Sequence, residues 1–501
     1  MRANPLLPGF HPDPSICQVG KYWYLVTSTF EYFPGLPIYR SADLSEWELV
    51  GHAVQRRDQF DFNGVKGSGG MFAPTLRYNN GRFYLVCTLM HGKGERGSFI
   101  ITASDPAGEW SDPVWLRTAP GIDPSLFFDD DGTCWYLGCE LSPVPGSPEQ
   151  TDIWLQRFDE RTLTLVGDRA VISNGALRGA RWAEGPHLYK VEGSYLLLHA
   201  EGGTERNHAV MVARAEHVAG PYSGHPGNPV LTHRHLGHGE YMYGVGHADL
   251  TQDESERWWA VALGMRTFDG NHHLRGRETV IVPVAWENGW PVFAPGLGRV
   301  PAEVDLPDAH NLWDDPAILD VDHDADDTWL QLRTGEQFWQ STPAGVLLRA
   351  TASGLRDRGT PAFLCHRVQH ADIDVTARLT LEGNGMAGIC LYQSENFHHL
   401  VVVRRDSDGA LWLEIITVEN AVSVVVASAV VDTARVDIWM SLRGGELRAG
   451  LRGHNTSVTA ALDPRVVSTE RAGGFVGAMV GPFVEGEGAT ALFHSVVLTP
   501  A

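Results

Sequence analysis

The sequence predicts an all-β protein: a five-bladed β-propeller followed by a C-terminal β-sandwich of the jelly-roll type. The first observation is a motif that occurs five times in the first three hundred of the 501 residues, each time followed by a turn and an aromatic-rich apolar run. The second is a change of pattern near residue 325, after which short alternating runs follow one another closely. The third is that no long stretch shows helical periodicity.

The repeated motifs are HPDPSI (11–16), FAPTLR (72–77), GIDPSLF (121–127), WAEGPHLY (182–189) and GVGHADL (244–250). Measured between Asp13, Ala73, Asp123, Glu184 and His247, the steps are 60, 50, 61 and 63 residues. A period of this size, built of strand pairs, is typical of a propeller with one blade per repeat. If each motif begins the innermost strand of its blade, the motifs converge on the propeller axis and their three acids share one pocket.

The chain is expected to form three parts. Residues 1–300 hold the repeats and form the propeller, and residues 301–324, rich in proline and acids, form a linker. Residues 325–501 contain alternating runs such as DIDVTARLTL, HHLVVVRRD and VSVVVASAVV. Many short strands at close spacing predict two packed sheets, so this part is expected to be the sandwich.

The charge of the chain narrows the choice of partners. It has 61 acidic and 39 basic residues, a formal net charge of −22, and no dense run of lysine or arginine. Nucleic acids and anionic membrane surfaces are therefore excluded as expected partners, and a small neutral ligand is favoured. No segment has the roughly 20 apolar residues that a membrane-spanning helix needs.

The N-terminal segment and the cysteines bear on location. The segment MRANPLLPGFHPDP has no charged stretch followed by an apolar one, so it does not resemble a secretory leader. The six cysteines are scattered and form no C-x-x-C pair, which favours reduced thiols over metal or redox sites. We therefore expect a cytoplasmic protein, or one trimmed of its leader. Homo-oligomerisation is left open.

Three of the five motifs carry a carboxylate among apolar and small residues. Asp13 and Asp123 each stand in the frame DPS followed by Ile or Leu, and Glu184 stands in EGPHL. Proline after the acid keeps the backbone of the acid extended. An isolated DPS would be interpreted as a turn in which Asp and Ser make local hydrogen bonds. Three acids around one pocket instead suggest hydrolysis by paired carboxylates.

Five longer segments resemble glycoside hydrolase family 43. They are GFHPDPSI, STFEYFPGLPIYRSADLSEWE, DPSLFFDDDG, EGPHLYK and LRGRETVIVPVAWENGWPVF. This family contains β-xylosidases and α-L-arabinofuranosidases built on a five-bladed propeller, and the C-terminal part resembles the sandwich of its two-domain members. The resemblance implies an exo-acting, inverting glycoside hydrolase that releases a terminal pentose from small oligosaccharides.

Among the activities of the family, the resemblance favours β-1,4-xylosidase activity on xylo-oligosaccharides. α-L-Arabinofuranosidase activity on arabinoxylan or arabinan fragments is the close alternative, alone or together with xylosidase activity. A sugar-binding propeller without catalysis is a remote alternative, which the presence of all three acids disfavours. An endo-acting arabinanase is disfavoured because such relatives commonly lack the appended sandwich.

By position, the resemblance gives each acid a role. It implies that Asp13 is the general base, that Glu184 is the general acid, and that Asp123 orients Glu184 and raises its pKa by like-charge repulsion. Arg277, in the frame GRET, matches a substrate-binding arginine that hydrogen-bonds sugar hydroxyls. The alternative for Arg277 is an ion pair with Glu278.

The resemblance also suggests the walls of the pocket. Phe30 matches an aromatic wall, and Phe72 stands where relatives usually have tryptophan. His247 matches a histidine at the pocket floor that holds the third acid, or a Ca²⁺ ion through water; a packed core histidine is the alternative. No cofactor or catalytic metal is expected, beyond an optional Ca²⁺ near His247. A C-terminal aromatic residue, Phe475 or Phe483, is expected to close one side of the pocket and enforce exo action.

Overall fold

A computed structural model of the chain describes residues 1–177, 179–433, 435–452 and 458–501. It confirms the predicted fold class, because five small antiparallel sheets form the propeller and two eight-stranded sheets form the sandwich. Helical structure in these ranges is limited to the 3₁₀ turns Leu312–Asp314 and Pro464–Val467 and the short α-helix Thr469–Ala472. None of these described helices has the length and apolar character needed to cross a membrane.

The propeller blades are sheets of four strands, apart from the second blade, which has five. Blade 1 comprises Ser15–Val19, Tyr22–Val26, Gly35–Ser41 and Glu48–Val54. Blade 2 comprises Gly70–Met71, Thr75–Asn79, Arg82–Met90, Gly97–Ala103 and Val114–Trp115. Blade 3 comprises Ile122–Phe128, Cys134–Leu141, Thr151–Asp159 and Thr164–Ser173. Blade 4 comprises Glu184–Val191, Ser194–Glu201, Ala209–Ala215 and Ser223–Gly224, and blade 5 comprises Met242–Gln252, Trp258–Arg266, Glu278–Glu287 and Trp290–Phe293.

The sandwich sheets pack their apolar faces against each other. In spatial order, one sheet runs Trp339–Thr342, Gly345–Arg349, Thr490–Pro500, Ile373–Glu382, Arg435–Arg443, Glu446–Arg452 and Thr459–Leu462, and Ala317–Leu319 also pairs with Thr490–Pro500. The other runs Val422–Val431, Leu411–Glu419, Phe397–Arg405, Gly385–Ser394, Met479–Glu485, Ala362–Arg367, Leu330–Leu332 and Tyr32–Phe33. Strand Ile373–Glu382 shows why the sequence folds this way. Its residues alternate between buried and more exposed positions along its whole length, as a strand with one face in the core requires.

The N-terminal segment closes the propeller by lying along the last blade. Leu7 forms a β-bridge with Thr279, and Arg2–Ala3 pairs with Glu303–Val304. Main-chain hydrogen bonds therefore join the segment that leads into blade 1 to blade 5, so the five blades form a closed ring around the axis. One strand of this closure lies within the predicted linker, residues 301–324.

The two parts of the chain share a sheet. Tyr32–Phe33, from the propeller, pairs with Leu330–Leu332 and becomes an edge strand of a sandwich sheet. This pairing holds the sandwich against the side of blade 1. Ala317–Leu319, also within the predicted linker, already belongs to the sandwich. The domain limits at 300 and 324 stay predictions.

Candidate active site

In blades 1, 3, 4 and 5, one motif residue in or just before the inner strand has a left-handed backbone conformation. Asp13, Asp123 and His247 have positive φ angles of 54°, 54° and 50°, and Gly185 has 58°. In blades 3, 4 and 5 the strand register shifts at these residues. A β-bulge of this kind turns a side chain out of the regular alternation of a strand. The repeated motifs are thus the places where the propeller presents side chains to its axial pocket.

The position of Glu184 differs from the register that the sequence suggested. Gly185, not Glu184, occupies the left-handed position that Asp13 and Asp123 occupy in their own blades. A Cβ atom at Gly185 would stand 2.8 Å from Cε1 of His247, closer than real side chains approach. The neighbouring histidine therefore demands glycine here, and the acid of blade 4 stands one residue earlier.

The three acids and the four substrate-binding residues predicted for the pocket line one small cavity of about 70 Å³. They are Asp13, Phe30, Phe72, Asp123, Glu184, His247 and Arg277, and the cavity is completed by Ala73, Ile122, Thr204, His208 and Phe475.

Asp13 is held by an arginine and a serine. It is 4% exposed, and it accepts hydrogen bonds from Nη1 of Arg277 at 2.6 Å and from Oγ of Ser28 at 2.8 Å. Nδ1 of His247 lies 3.8 Å from Oδ1 of Asp13. His247 therefore faces the pocket beside Asp13 rather than packing in the core.

Arg277 does not form the alternative ion pair with Glu278. Glu278 is fully buried and binds Arg266 at 2.7 Å, with Arg275 3.7 Å away. Arg277 instead turns into the pocket, where its Nη2 is buried and lacks a hydrogen-bond partner among the described residues. This atom is a free donor facing the place where a sugar would bind.

Asp123 and Glu184 are coupled through the backbone and through their charges. Asp123 accepts a hydrogen bond from the backbone N–H of Gly185 at 3.1 Å, directly beside Glu184. Burial raises the pKa of Asp123 to about 6. Burial is also the main reason why the pKa of Glu184 lies well above its usual range, and the charges of Asp123 and Asp13 add to it. The family resemblance implied that charge repulsion from Asp123 raises the pKa of Glu184; in the structure, desolvation raises this pKa more than that repulsion does.

Three phenylalanine rings form the apolar wall of the pocket. The centroid of Phe30 lies 5.2 Å from that of Phe72 and 6.0 Å from that of Phe475. Phe475 is thus the sandwich residue that reaches the pocket. Phe483 is fully buried inside the sandwich, where it pairs in register with Phe363. The guanidinium of Arg277 lies 5.3 Å from the Phe30 ring and 5.6 Å from the Phe475 ring.

His208 and Thr204 line the pocket, and the sequence did not single them out. Nδ1 of His208 lies 2.9 Å from the carbonyl oxygen of Gly244, and Nε2 is buried without a hydrogen-bond partner among the described residues. Burial lowers the pKa of His208 to about 3, so the ring stays neutral and Nε2 can accept a hydrogen bond from a hydroxyl group. Because His208 immediately precedes an apolar run, the sequence alone does not distinguish it from a core histidine.

A second polar layer lies under the pocket and centres on Asp249. This fully buried residue accepts hydrogen bonds from Ser15 Oγ at 2.8 Å, from Arg77 Nη1 at 2.8 Å and from the Tyr189 hydroxyl. Burial raises the pKa of Asp249, but the Arg77 guanidinium and the hydrogen bonds outweigh this effect and hold the pKa below its usual range. The cluster ties blade 5 to blades 1, 2 and 4. Because Ser15 follows Asp13 by two residues, the cluster also supports the pocket.

We expect Asp249→Asn to lower the free energy of unfolding by about 3–5 kcal/mol, because it leaves the largely buried Arg77 without its counter-charge. Urea unfolding would measure the loss. The control is Asp305→Asn, which removes an exposed ion pair with Arg257 and should cost at most about 1 kcal/mol. Equal losses in the two variants would show that the buried cluster contributes no more to the free energy of unfolding than an exposed ion pair does.

Comparison with known proteins agrees with the sequence and the fold. The model of "Glycosyl hydrolases family 43" matches residues 2–291, and that of the "Beta xylosidase C-terminal Concanavalin A-like domain" matches residues 322–495. The chain is 37% identical to a "Xylosidase/arabinosidase" of Butyrivibrio fibrisolvens, over 97% of this chain and 96% of that protein. It is 34% identical to a non-reducing end alpha-L-arabinofuranosidase of Bacteroides ovatus, over 97% and 91% of the two chains.

A solved structure shows the same architecture from end to end. The xylan beta-1,4-xylosidase of Bacillus halodurans superposes with a TM-score of 0.92 and 31% identity, covering all of both chains. The family model covers more than half of this chain, and the relatives match nearly its whole length. The protein is therefore a glycoside hydrolase that belongs to family 43.

Proposed function

We propose that this enzyme is an exo-acting, inverting glycosidase that removes a terminal β-D-xylose from xylo-oligosaccharides. One observation carries the proposal: a single small pocket holds a carboxylate paired with arginine, Asp13, and a carboxyl whose pKa is strongly raised, Glu184. Two carboxyl groups in such different surroundings suit a base and an acid. α-L-Arabinofuranosidase activity, alone or in addition, is the second candidate, because relatives with that name match the chain along nearly its full length.

In the proposed reaction, Glu184 donates its proton to the departing glycosidic oxygen. Asp13 removes a proton from a water molecule, which attacks the anomeric carbon from the opposite face of the ring and inverts its configuration. An inverting pair stands roughly 6.5–9.5 Å apart to leave room for that water. Asp123 acts on Glu184 through its charge and through Gly185. Nη2 of Arg277 is free to bind a sugar hydroxyl.

A panel of substrates tests the proposal. We expect 4-nitrophenyl β-D-xyloside and xylobiose to be hydrolysed faster than 4-nitrophenyl α-L-arabinofuranoside. The reverse order would select the second candidate. Binding of xylose without hydrolysis of any of these substrates would overturn both and leave a sugar-binding propeller.

We expect Asp123→Asn to move the alkaline limb of the pH–rate profile to lower pH. The general acid works only while protonated, so activity falls as pH rises through the pKa of Glu184. The negative charge of Asp123 raises that pKa, and its removal lowers it. The control is Asp58→Asn, which changes an exposed carboxylate and should leave the limb in place. An unchanged limb and an intact kcat in Asp123→Asn would remove Asp123 from the catalytic set.

We propose that catalysis needs no metal ion. Among the described residues, no group of three or more His, Cys, Asp or Glu side chains is arranged to hold one. The Asp13 carboxylate beside His247 is already bound by Ser28 and Arg277, so the site does not fit directly coordinated Ca²⁺. We expect the enzyme to stay active after dialysis against EDTA. Complete loss of activity that Ca²⁺ restores would contradict this prediction.

We also propose that the enzyme works in the cytoplasm on imported oligosaccharides. All six cysteines are free, and five of them are buried, as expected for thiols in a reducing compartment. Cell fractionation with an activity assay tests this proposal, and activity confined to the medium would contradict it.

Light scattering of the purified enzyme would decide between a monomer and a homo-oligomer.

A further inference from the structure

Two consecutive glycines give the segment that carries Phe475 into the pocket a backbone with few conformational restrictions. This segment follows the one-turn helix Thr469–Ala472 and precedes the sandwich strand Met479–Glu485. Gly473 and Gly474 have φ angles of 75° and 83°, a conformation that glycine adopts freely. The Phe475 side chain at the end of this pair remains 41% exposed. Packing alone therefore does not fix its place, and polar contacts must.

One set of contacts holds the backbone around Phe475 itself. The N–H of Phe475 donates to Oγ of Ser68 at 2.7 Å, and Nε of Arg277 lies 3.4 Å from the Phe475 carbonyl oxygen. Nε2 of Gln393 donates to the carbonyl of Gly473 at 2.9 Å. Ser68 lies between blades 1 and 2, Arg277 lies beside blade 5, and Gln393 belongs to the sandwich strand Gly385–Ser394.

A second set lies at the other end of the segment and is made by one side chain, Glu470. Its carboxylate accepts hydrogen bonds from the backbone N–H of His273 at 3.1 Å, from Nδ1 of His273 at 2.6 Å and from the Tyr243 hydroxyl. His273 and Tyr243 belong to the blade 5 region and are buried. The Tyr243 ring is itself covered by the guanidinium of Arg206, 4.3 Å from its centroid. A sandwich carboxylate thus meets a buried group of hydrogen-bond donors on the propeller.

We infer that Glu470 is a positioning residue that docks the sandwich segment on blade 5 and so holds Phe475 over the pocket. The Phe475 ring then faces Phe30 and Arg277, and the pocket keeps the shape that binds one terminal sugar. Without the Glu470 contact, the glycine pair lets Phe475 move away from the pocket. The catalytic consequence rests on the proposed function, but the docking itself does not.

We expect Glu470→Gln to raise KM for xylobiose about tenfold, the size of one lost charge-assisted hydrogen bond, with little change in kcat. The decisive test is a double-mutant cycle with Phe475→Ala. If Glu470 acts through Phe475, the double variant should have the same KM as Phe475→Ala alone. Additive effects of the two substitutions would overturn the inference, because they would mean that Glu470 acts by another route. The control is Glu446→Gln, which alters an exposed sandwich carboxylate and should leave KM unchanged.

A readout that does not depend on activity separates this inference from the proposed function. In Glu470→Gln, peptides that contain Gly473–Phe475 should exchange their amide hydrogens faster, whereas the sandwich strand Ile373–Glu382 should not change. Tyr243→Phe, which removes one of the three donors, should show the same change and replaces Glu470→Gln if that variant fails to fold. Unchanged exchange in the segment would overturn the docking even in an active enzyme. Faster exchange in an enzyme inactive on pentosides would support the docking and contradict only the proposed function.

Discussion

Replacing Glu184 by alanine should strongly lower kcat for xylobiose and leave kcat for 2,4-dinitrophenyl β-D-xyloside nearly unchanged. A general acid matters most when the leaving group is poor, because it gives the departing oxygen a proton. The dinitrophenolate leaves without that help. General acid assistance is worth about 10²–10⁴-fold, so the two substrates should separate clearly in kcat.

The control for this variant is Glu140→Ala, which removes a carboxylate of blade 3 that pairs with Arg169 away from the pocket. It should affect both substrates slightly and equally. If Glu184→Ala lost activity on both substrates to the same extent, Glu184 would not be the proton donor to the leaving group.

Replacing Asp13 by alanine should depress the hydrolysis of both substrates alike, by about 10²–10⁴-fold. Water has to be activated whatever the leaving group is, so the base is needed in every case. Steady-state kinetics on the same two substrates measures the loss. The opposite pattern in the two variants would show that the acid and base roles are exchanged. Full activity in both variants would show that chemistry takes place elsewhere.

Because the Asp13 carboxylate also binds Arg277, its removal eliminates the proposed base and also the ion pair that holds Arg277. Asp13→Ala leaves the nearly buried guanidinium of Arg277 without its carboxylate partner. Asp13→Asn keeps the shape of the side chain and two hydrogen-bonding atoms, but it cannot accept a proton at neutral pH. Equal losses in Asp13→Ala and Asp13→Asn would assign the effect to the missing base. A much smaller loss in Asp13→Asn would assign it to a disturbed Arg277.

The fold and most of the residues that line the pocket could be predicted because the chain repeats itself. The motifs recur at nearly even steps, and a closed ring of blades brings their first residues together whatever the details of each blade. The frame DPS marked Asp13 and Asp123 correctly as the residues that turn towards the axis. The frame EGP did not reveal that the acid of blade 4 stands one residue before the left-handed position. Gly185 occupies that position, because the His247 ring leaves no room for a side chain there.

Features that depend on contacts between distant blades could not be predicted. Asp249 lies in the repeated motif GVGHADL beside His247, and its partner Ser15 lies 234 residues away in the sequence. The leading contribution of burial to the pKa of Glu184 is likewise a property of the assembled pocket. Phe475 and Phe483 look alike as aromatic residues near the C-terminus. The regular strand Met479–Glu485 places Phe483 in the core, while Phe475 follows the glycine pair and reaches the pocket.

We propose that Asp13 and Glu184 act as an inverting base and acid on a terminal sugar. Proton NMR of xylobiose hydrolysis in the first minutes, before mutarotation mixes the anomers, distinguishes inversion from retention. Direct attack of water on the β-linkage predicts that the sugar released from the non-reducing end first appears as α-xylose. If that sugar first appears as β-xylose, the reaction proceeds by double displacement, and Asp13 is not the base that activates water.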